Sequence, residues 1–232
     1  MAKRILLKLS GEALAGEKKT GFDEDTVRKV GEQVKQLISN GTQVGIVIGG
    51  GNFWRGRSSE NIDRTKADQI GMLATVMNCI YTSEIFRSLG METQIYTPFA
   101  VGTFTRLFSK DEAVGDMKAG KVVFLAGGTG HPYFSTDTGV VLRAVEVEAD
   151  MILLAKAIDG VYDADPAKDP NAKKYDEITI DDVIAQNLQV MDMTASILAR
   201  DNHMPMLVFG LDEEESIVRA AAGEAMGTRV IV

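Results

Sequence analysis

Short apolar runs alternate along this chain with longer stretches in which apolar residues recur at helical spacing. Residues 4–9 and 43–48 are apolar runs of the length of a buried strand. Between them the apolar residues fall on one face of a helix, at Val27, Val30, Val34, Leu37 and Ile38. Asp23 or Asp25 is placed to cap this helix, and Gly41 is placed to end it. This part of the chain predicts a strand, a loop, a helix and a second strand.

The same alternation continues through the rest of the chain. It predicts helices at 66–89, 109–119 and 136–148, and strands at 93–96, 121–126 and 151–154. Further helices and strands are expected at 181–186, 194–202, 206–209, 213–224 and 228–232, after a polar, turn-rich surface loop at 159–177. The pattern indicates an α/β fold, with an open, mostly parallel sheet sandwiched by helices. The roughly 55 residues after the loop are marginal for an independent fold, so residues 1–232 are predicted to form a single domain.

Three of the apolar runs end in glycine-containing turns, at Gly11, at residues 49–51 and at residues 127–130. Glycine lets the backbone approach a ligand closely, and the N–H groups of a following helix attract anions. In open α/β sheets ligands lie beyond the carboxyl ends of the strands, where these turns fall. Lys8 precedes the first turn and Arg55 follows the second. Together these features predict a site for several phosphate groups.

Two familiar phosphate-binding motifs nearly match the chain and are rejected. Residues 115–122 have the spacing of a Walker A motif, but Val122 replaces the Ser or Thr that would hold Mg²⁺, and the segment runs into a strand. The glycines at 49–51 and 128–130 lack the third glycine of the dinucleotide fingerprint. The sequence therefore argues against a Rossmann enzyme of the NAD type.

The charge balance and the cysteine content restrict the class of partner. The net charge of -8, from 25 Lys plus Arg and 33 Asp plus Glu, argues against broad binding to nucleic acid or to an anionic membrane. A small phosphorylated ligand needs only a local cluster of cations. The single Cys79 cannot form an internal disulfide, and no apolar run has the length of a membrane span. These features predict a cytoplasmic protein without nucleic-acid or membrane partners.

The side chains around the glycine turns suggest particular roles. Strand alternation places Lys8 and Ser10 on the same face, where Lys8 could neutralise a phosphoryl group during transfer. Asp137 could either cap the helix that follows it or orient Lys8. Residues 129–136 combine backbone donors, hydroxyls and aromatic rings, which suit a nucleotide. Neither histidine of the chain has the spacing of a metal ligand or of a catalytic triad, so no protein metal site is predicted.

Six blocks of sequence occur in a specific order and at specific spacings. They are KLSGEAL at 8–14, VIGGGN at 47–52 with Arg55 and Gly56, GMLATVMN at 71–78, GTGHPYF at 128–134, DGVY at 159–162 with Ala164-Asp165-Pro166, and VMD at 190–192. In this order and spacing they resemble the amino-acid kinase family, and within it the bacterial uridylate (UMP) kinases. The resemblance extends over nearly the whole chain. It implies an α/β/α sandwich that transfers the γ-phosphoryl group of ATP to UMP, a step in pyrimidine nucleotide biosynthesis.

The resemblance also assigns residues by position. It implies that ATP is bound by Lys8, Leu9, Ser10, Gly11, Gly51, Arg55, Lys156, Tyr162 and Asp165. It implies that UMP is bound by Gly50, Asp68, Thr129, Gly130, His131, Pro132, Tyr133, Phe134, Ser135 and Thr136, with Asp68 reaching the ribose. The catalytic set would be Lys8, Arg55, Asp137 and Asp192, the two aspartates orienting lysines. Some relatives have Lys-x-Thr before the Asp-Gly-Val segment, and whether Lys156 replaces that lysine, a neighbouring ATP contact or neither is left open.

The resemblance further implies Mg²⁺ bound with ATP, a homo-oligomer of six subunits, and a response to GTP and UTP. No protein base is required, because the phosphate of UMP is already an ionised nucleophile and charge neutralisation with positioning can carry the transfer. Two alternatives remain. One is an acyl-phosphate-forming kinase of the same fold, acting on acetylglutamate, aspartate or carbamate, although residues 129–136 favour a nucleotide. The other is a non-catalytic nucleotide sensor, against which Lys8, Arg55 and Asp137 speak.

Overall fold

Helices and strands alternate along the chain as the apolar pattern predicts. The computed structural model describes residues 3–54 and 61–232. The strands are β1 (Arg4–Leu9), β2 (Gln43–Ile48), β3 (Thr93–Thr97), β4 (Arg106–Leu107), β5 (Val122–Leu125), β6 (Met151–Lys156), β7 (Val161–Tyr162), β8 (Lys174–Tyr175), β9 (Glu177–Thr179), β10 (Met206–Gly210) and β11 (Thr228–Ile231). The helices are α1 (Gly11–Ala15), α2 (Glu24–Ser39), α3 (Arg64–Ser88), α4 (Lys110–Lys118), α5 (Thr136–Glu146), α6 (Ile180–Ala185), α7 (Met193–Asp201) and α8 (Ser216–Ala222), with a short 3-10 turn at Gly16–Lys18.

One sheet in the described part of the chain contains nine of these strands, in the order β4-β3-β5-β2-β1-β6-β10-β11-β9. Neighbouring strands are parallel except β10 and β11, which are antiparallel. The predicted open, mostly parallel α/β sheet is therefore confirmed. Strands β2 to β5 lie on one side of β1. Strands β6, β10, β11 and β9 lie on the other side. The chain thus reverses its direction of growth at β1 and β6, and a ligand crevice forms at the carboxyl ends of such strands.

The two faces of the sheet bury two apolar clusters. Leu7 and Leu9 of β1 belong to the cluster shared with α2, α3 and α8. Leu6 belongs to the cluster on the opposite face, with α4, α5, α6 and α7. Because side chains alternate along a strand, Lys8 lies on the same face as Leu6, the face covered by α5. The register places Lys8 between Val47 of β2 and Leu154 of β6, so this lysine comes from the centre of the sheet.

Short elements depart from the sequence prediction. The segment after β1 was expected to be a loop, but Gly11–Ala15 forms α1 because Ser10 Oγ accepts a hydrogen bond from the N–H of Ala13 at 3.0 Å. The predicted loop at 159–177 contains the antiparallel pair β7 and β8 and the start of β9. Strand β4 was also missed. Elements of two or three residues carry too little periodicity to be detected in a sequence.

The three glycine turns lead into different structures. Only the first turn leads directly into a helix, α1. After the second turn α3 begins at Arg64, and after the third turn α5 begins at Thr136. A loop therefore separates the second and third glycine turns from the helices that follow them. None of the helices in the described ranges combines the length and the apolar character that crossing a membrane requires.

Candidate functional site

A charged cluster lies at the carboxyl ends of β1 and β6. Lys8 Nζ is 2.9 Å from Asp137 Oδ1, and the two side chains are 14% and 25% exposed. Lys156, the last residue of β6, is near both charges. Burial lowers the pKa of Lys156, and the positive charge of Lys8 adds to this effect while the Asp137 carboxylate opposes it. Lys8 is thus paired with Asp137, and Lys156 adds a second lysine at the same end of the sheet, an arrangement suited to phosphate.

The beginning of α5 decides between the two roles considered for Asp137. Ser135 caps the helix, because its Oγ accepts hydrogen bonds from the N–H groups of Asp137 at 3.0 Å and Thr138 at 3.2 Å. Asp137 is therefore in the first turn and its carboxylate faces Lys8. The geometry matches the second alternative, in which Asp137 orients Lys8.

Asp192 has a different environment from the one expected. It caps α7 by accepting a hydrogen bond from the N–H of Ala195 at 3.0 Å. Its carboxylate also accepts a short hydrogen bond from the Ser135 hydroxyl and a long one from Thr138 Oγ1 at 3.4 Å. Among the contacts in the described part of the chain Asp192 has no lysine partner. Asp192 joins the N-terminal ends of α5 and α7, and the expectation that it orients a lysine is not met by this geometry.

The first two glycine turns are packed against each other. The N–H of Gly49 donates to the carbonyl of Leu9 at 2.9 Å. A Cβ atom on Gly11 would lie 2.6 Å from the Gly49 carbonyl oxygen and 2.3 Å from Asn52 Oδ1, so only glycine allows this approach. Lys8, Leu9, Ser10, Gly11, Gly50 and Gly51 are therefore brought together as predicted. Arg55 and Gly56 lie outside the described residues.

A cleft of about 200 Å³ opens between α3 and the third glycine turn. Of the residues predicted to bind UMP, those that line it are Gly50, Asp68, Thr129, His131, Phe134, Ser135 and Thr136. Gly51, predicted to bind ATP, also lines this cleft. Gly130, Pro132 and Tyr133 belong to the same turn but are not part of the lining. The cleft lies beside the Lys8–Asp137 pair, because Ser135 and Thr136 directly precede Asp137.

Asp68 fastens this turn to α3. Its Oδ2 accepts a hydrogen bond from the N–H of Tyr133 and another from Arg64 Nε, both at 2.8 Å. The Arg64 guanidinium also lies over the Tyr133 ring, 5.3 Å from its centroid. Tyr133 has a φ of 71°, which is rare for a residue with a side chain. Sequence reasoning missed Arg64, although its position four residues before Asp68 on a helix predicts such an ion pair.

A second cavity, of about 520 Å³, lies beyond β6 and includes Lys156, Tyr162 and Asp165 in its lining. Lys156 Nζ donates to the backbone carbonyl of Val190, and its distance from the Gln189 carbonyl is 3.4 Å. This cavity therefore approaches the charged cluster through Lys156, as the cleft does through Ser135 and Thr136. The volume is within the range of small-molecule sites.

Hydrogen bonds fix the side chains of this second cavity. The Tyr162 hydroxyl donates to Asp159 Oδ1 at 2.7 Å, and Lys174 Nζ lies 2.9 Å from Asp159 Oδ2. The hydrogen bond from Lys174, with the one from Tyr162, holds the pKa of Asp159 below its ordinary value. Asp165 accepts from the N–H of Ala167 at 3.0 Å and so shapes its own turn. The arrangement presents an aromatic ring and carboxylates to a ligand.

The chain is similar to known proteins over almost its entire length. A model described as the amino acid kinase family matches residues 3–210. The chain is similar to a crystal structure of UMP kinase from Bacillus anthracis, with a TM-score of 0.95 and 37% identity over 99% of this chain and 96% of the other. It is similar to UMP kinase from Ureaplasma parvum, with a TM-score of 0.93 and 33% identity over 100% of both chains. Uridylate kinase from Archaeoglobus fulgidus is more distant, with a TM-score of 0.73 and 26% identity over 97% of this chain and 99% of the other.

Proposed function

The chain belongs to the amino acid kinase family, and from this membership we propose that it transfers the γ-phosphoryl group of ATP to UMP, giving ADP and UDP. The single observation that carries the proposal is the Lys8–Asp137 pair at the sheet switch point. Ser135 and Thr136 of the cleft directly precede Asp137, and Lys156 of the second cavity belongs to β6, the strand paired with that of Lys8. A cation that neighbours two ligand cavities is what a phosphoryl transfer between two bound nucleotides needs. The full-length similarity to UMP kinases supports UMP as the acceptor.

The reaction proceeds by direct displacement. A phosphate oxygen of UMP forms a bond to the γ-phosphorus of ATP, and the bond from that phosphorus to the β–γ bridging oxygen breaks, so that ADP leaves with the electron pair. The acceptor oxygen is already ionised, and no proton has to be removed by the protein. Lys8 neutralises the charge that is spread over the transferring group. Asp137 keeps the Lys8 ammonium directed to this point.

We assign the donor nucleotide to the side of β6. The backbone of Ser10 and Gly11 and the side chains of Lys8, Lys156 and Arg55 would bind the phosphates of ATP. Tyr162 and Asp165 would contact the adenosine, because both line the cavity next to Lys156. Lys156 spans the distance between this cavity and the charged cluster, so we place it on the ATP phosphates.

We assign UMP to the cleft between α3 and residues 128–136. Both described hydrogen bonds to Asp68 end at Oδ2, and we propose that its Oδ1 accepts from a ribose hydroxyl. Thr129 and Ser135 supply hydroxyls, and Phe134 supplies an aromatic surface for the uracil ring. Asp192 would act from outside the cleft, by holding the Ser135 end of α5.

We propose that Mg²⁺ arrives with ATP and would be held mainly by its phosphates. Within residues 3–54 and 61–232 no group of three or more His, Cys, Asp or Glu side chains is arranged to hold a metal ion. Asp137 is engaged by Lys8, and Asp192 is engaged by helix ends. Mg²⁺ usually keeps several waters and binds through substrate phosphates with one or two carboxylates, and when bound it neutralises charge on the β- and γ-phosphates.

An exposed apolar stripe on α3 supports self-association. Its members follow one another at intervals of three and four residues and are 37% to 51% exposed: Ile70, Leu73, Met77 and Ile80. A contiguous exposed apolar face on a long helix marks an interaction surface. We propose that a second copy of the chain covers it. The assembly of six subunits and the response to GTP and UTP are carried as predictions from the family resemblance.

The proposal also includes the domain organisation of the chain and its location in the cell. We propose that residues 1–232 act as a single domain, since one sheet includes strands from both halves of the chain. The first half supplies most of the UMP site and the phosphate loops, and the second half supplies most of the ATP nucleoside site. A cytoplasmic location agrees with the lone, buried Cys79 and with ATP as a substrate.

The proposal is tested by measuring the release of ADP in the presence of ATP, Mg²⁺ and one acceptor at a time. The acceptors are UMP, CMP, dTMP, AMP, acetylglutamate, aspartate and carbamate. We expect rapid turnover confined to UMP. Turnover only on an acid would move the function to an acyl-phosphate-forming kinase of the same fold. Nucleotide binding without turnover on any acceptor would identify a sensor.

A further inference from the structure

Two side chains one turn apart on the inner face of α3 bind the backbone of the second and third glycine turns. Asn78 Nδ2 donates to the Gly49 carbonyl at 2.6 Å. Thr75 Oγ1 accepts from the N–H of Gly127 at 2.8 Å and donates to the Met72 carbonyl at 2.7 Å. Asn78 is fully buried and Thr75 is 5% exposed. A single rigid helix therefore fixes two loops that are far apart in the sequence.

Asn78 is itself held by a reciprocal amide pair. Its Nδ2 also donates to Asn52 Oδ1 at 2.8 Å, and Asn52 Nδ2 donates to Asn78 Oδ1 at 3.0 Å and to the Gly21 carbonyl at 2.8 Å. Both amides are buried and their donors are satisfied. Because water does not reach these groups, the orientation of Asn78 towards the Gly49 carbonyl is fixed by the protein alone.

The glycine turns need such external support. Residues 49–51 have no side chains that could anchor them in the core, and glycine is the residue with the greatest backbone freedom. The helix packs directly on the turn, since a Cβ atom on Gly50 would lie 3.0 Å from Ala74 Cβ and 3.0 Å from the Gly71 carbonyl oxygen. Contacts with α3 therefore help to hold the turn, together with its hydrogen bond to Leu9 of the first turn.

We propose that Asn78 and Thr75 are positioning residues for phosphoryl transfer. They hold the backbone of Gly49–Gly51 and of Gly127, whose loops both line the cleft beside the Lys8–Asp137 pair. Asn78 is outside the lining of both cavities. Thr75 lines the cleft beside Gly127, and its Oγ1 is engaged by the Gly127 N–H and the Met72 carbonyl. The inference rests on the proposed function, because it assigns these loops to nucleotide phosphates. Small misplacements of groups that align reacting atoms are costly in rate.

The experiment compares variants of α3 in the full-length protein. Thr75→Val removes the hydroxyl with little change of shape, and Thr75→Ser restores it. Asn78→Ala removes the amide. Thr82→Val is the matched control, because Thr82 is buried in the same helix and its Oγ1 has no hydrogen-bond partner among the described residues. Phe86→Leu, which changes a buried core residue of α3, serves as a control for loss of stability alone.

We expect Thr75→Val and Asn78→Ala to lower kcat on ATP and UMP by about tenfold to a hundredfold, with KM for ATP within about threefold of the unaltered protein. Thr75→Ser, Thr82→Val and Phe86→Leu should keep kcat within about threefold. Unchanged kcat in Thr75→Val and Asn78→Ala would overturn the proposal. An equal fall in Phe86→Leu would also overturn it, because loss of stability would then explain the effect.

A second measurement does not depend on catalysis. Hydrogen exchange of the Gly127 amide should be about tenfold or more faster in Thr75→Val and unchanged in Thr82→Val, because only Thr75 accepts from that N–H. Unchanged exchange at Gly127 would refute the positioning contact. If the unaltered protein does not phosphorylate UMP, the proposed function fails, while the exchange experiment still decides whether Thr75 holds the third turn.

Discussion

Lys8 of β1 and Asp137 of α5 face each other across the carboxyl end of the sheet, with the lysine Nζ 2.9 Å from the aspartate Oδ1. One residue comes from the central strand and the other from the first turn of the helix that covers it. Both side chains are mostly shielded from solvent, so the pair is less screened by salt than a surface ion pair. We propose that transfer takes place at this pair, and the first prediction concerns it.

Lys8→Ala should abolish most of the transfer while leaving the fold intact. Loss of a cation that stabilises a phosphoryl-transfer transition state costs a factor of about 10³ or more in kcat. Arg55→Ala should have a comparable effect, as the sequence predicts for the cation after the second glycine turn. Steady-state ADP release measures both variants, and Lys35→Ala, a change on the exposed face of α2, is the control. Near-normal turnover in Lys8→Ala and Arg55→Ala would refute the assigned roles.

Asp68→Asn should weaken the binding of UMP more than the binding of ATP. The change keeps the size of the side chain but removes the charge that pairs with Arg64 and weakens the acceptor for the Tyr133 N–H. We expect KM for UMP to rise by about tenfold or more, since hydrogen bonds to charged groups contribute about 1.5 to 3 kcal/mol. KM for ATP should change little, because Asp68 is remote from the cavity at Lys156. Equal changes in the two KM values would argue against a UMP site beside Asp68.

Leu73→Glu should disrupt the proposed contact between copies. Leu73 is 51% exposed in the centre of the apolar stripe, so a charge there is tolerated by the single chain but not by a covered apolar face. Sedimentation velocity should show a smaller species for Leu73→Glu than for the unaltered protein. Lys118→Gln, an exposed change on α4, which packs on the opposite face of the sheet from α3, is the control. An unaltered assembly in Leu73→Glu would mean that another surface joins the copies.

Deprotonation of Tyr96 should lower the free energy of unfolding at alkaline pH. Burial, together with the hydrogen bond to Asp116 at 2.8 Å, raises the pKa of Tyr96 to about 12 from an ordinary value of 10. The folded state therefore keeps a phenol proton that the unfolded chain loses, so the contribution is fully present below pH 10 and is lost as the pH rises through about 12. A shift of this size corresponds to about 2 to 3 kcal/mol.

Urea denaturation at pH 9 and at pH 11 tests the Tyr96 prediction with Tyr96→Phe. At pH 9 the variant should be less stable by about 1 kcal/mol, because it lacks the hydrogen bond to Asp116. Its stability should then fall less than that of the unaltered protein between the two pH values. Parallel falls in the two proteins would show that Tyr96 is not the group responsible.

Much of the fold was predictable because long elements carry their own periodicity. The strand at Arg4–Leu9 and the helix at Arg64–Ser88 were both predicted to within a few residues. The position of Lys8 near the carboxyl end of a buried strand was predictable from the apolar run at residues 4–9, while its role in transfer stays a prediction. Which residue capped α5 was not predictable, since Ser135, Thr136 and Asp137 are all able to cap a helix.

Contacts between segments that are distant in the chain could not be predicted from the sequence. Thr75 meets Gly127, and Asn78 meets Gly49, only after the sheet has brought the strands together. In the sequence both residues are polar positions in an apolar helical pattern, and that irregularity was the only local sign of a role. The position of Asp192 was obscured for the same reason, because its partner Ser135 belongs to another helix.

The division of the site between a central strand and a surface turn has a consequence for how such a protein diversifies. Lys8 is fixed by neighbours on both sides in the sheet, whereas the cleft is lined by Gly50 and Gly51, by α3 and by the turn at 127–136. Substitutions accumulated in that turn would alter which acceptor is phosphorylated without moving the strand that carries the reacting centre. Acceptor preference is thus open to gradual evolutionary change and to directed evolution by loop replacement, while the transfer step is inherited unchanged.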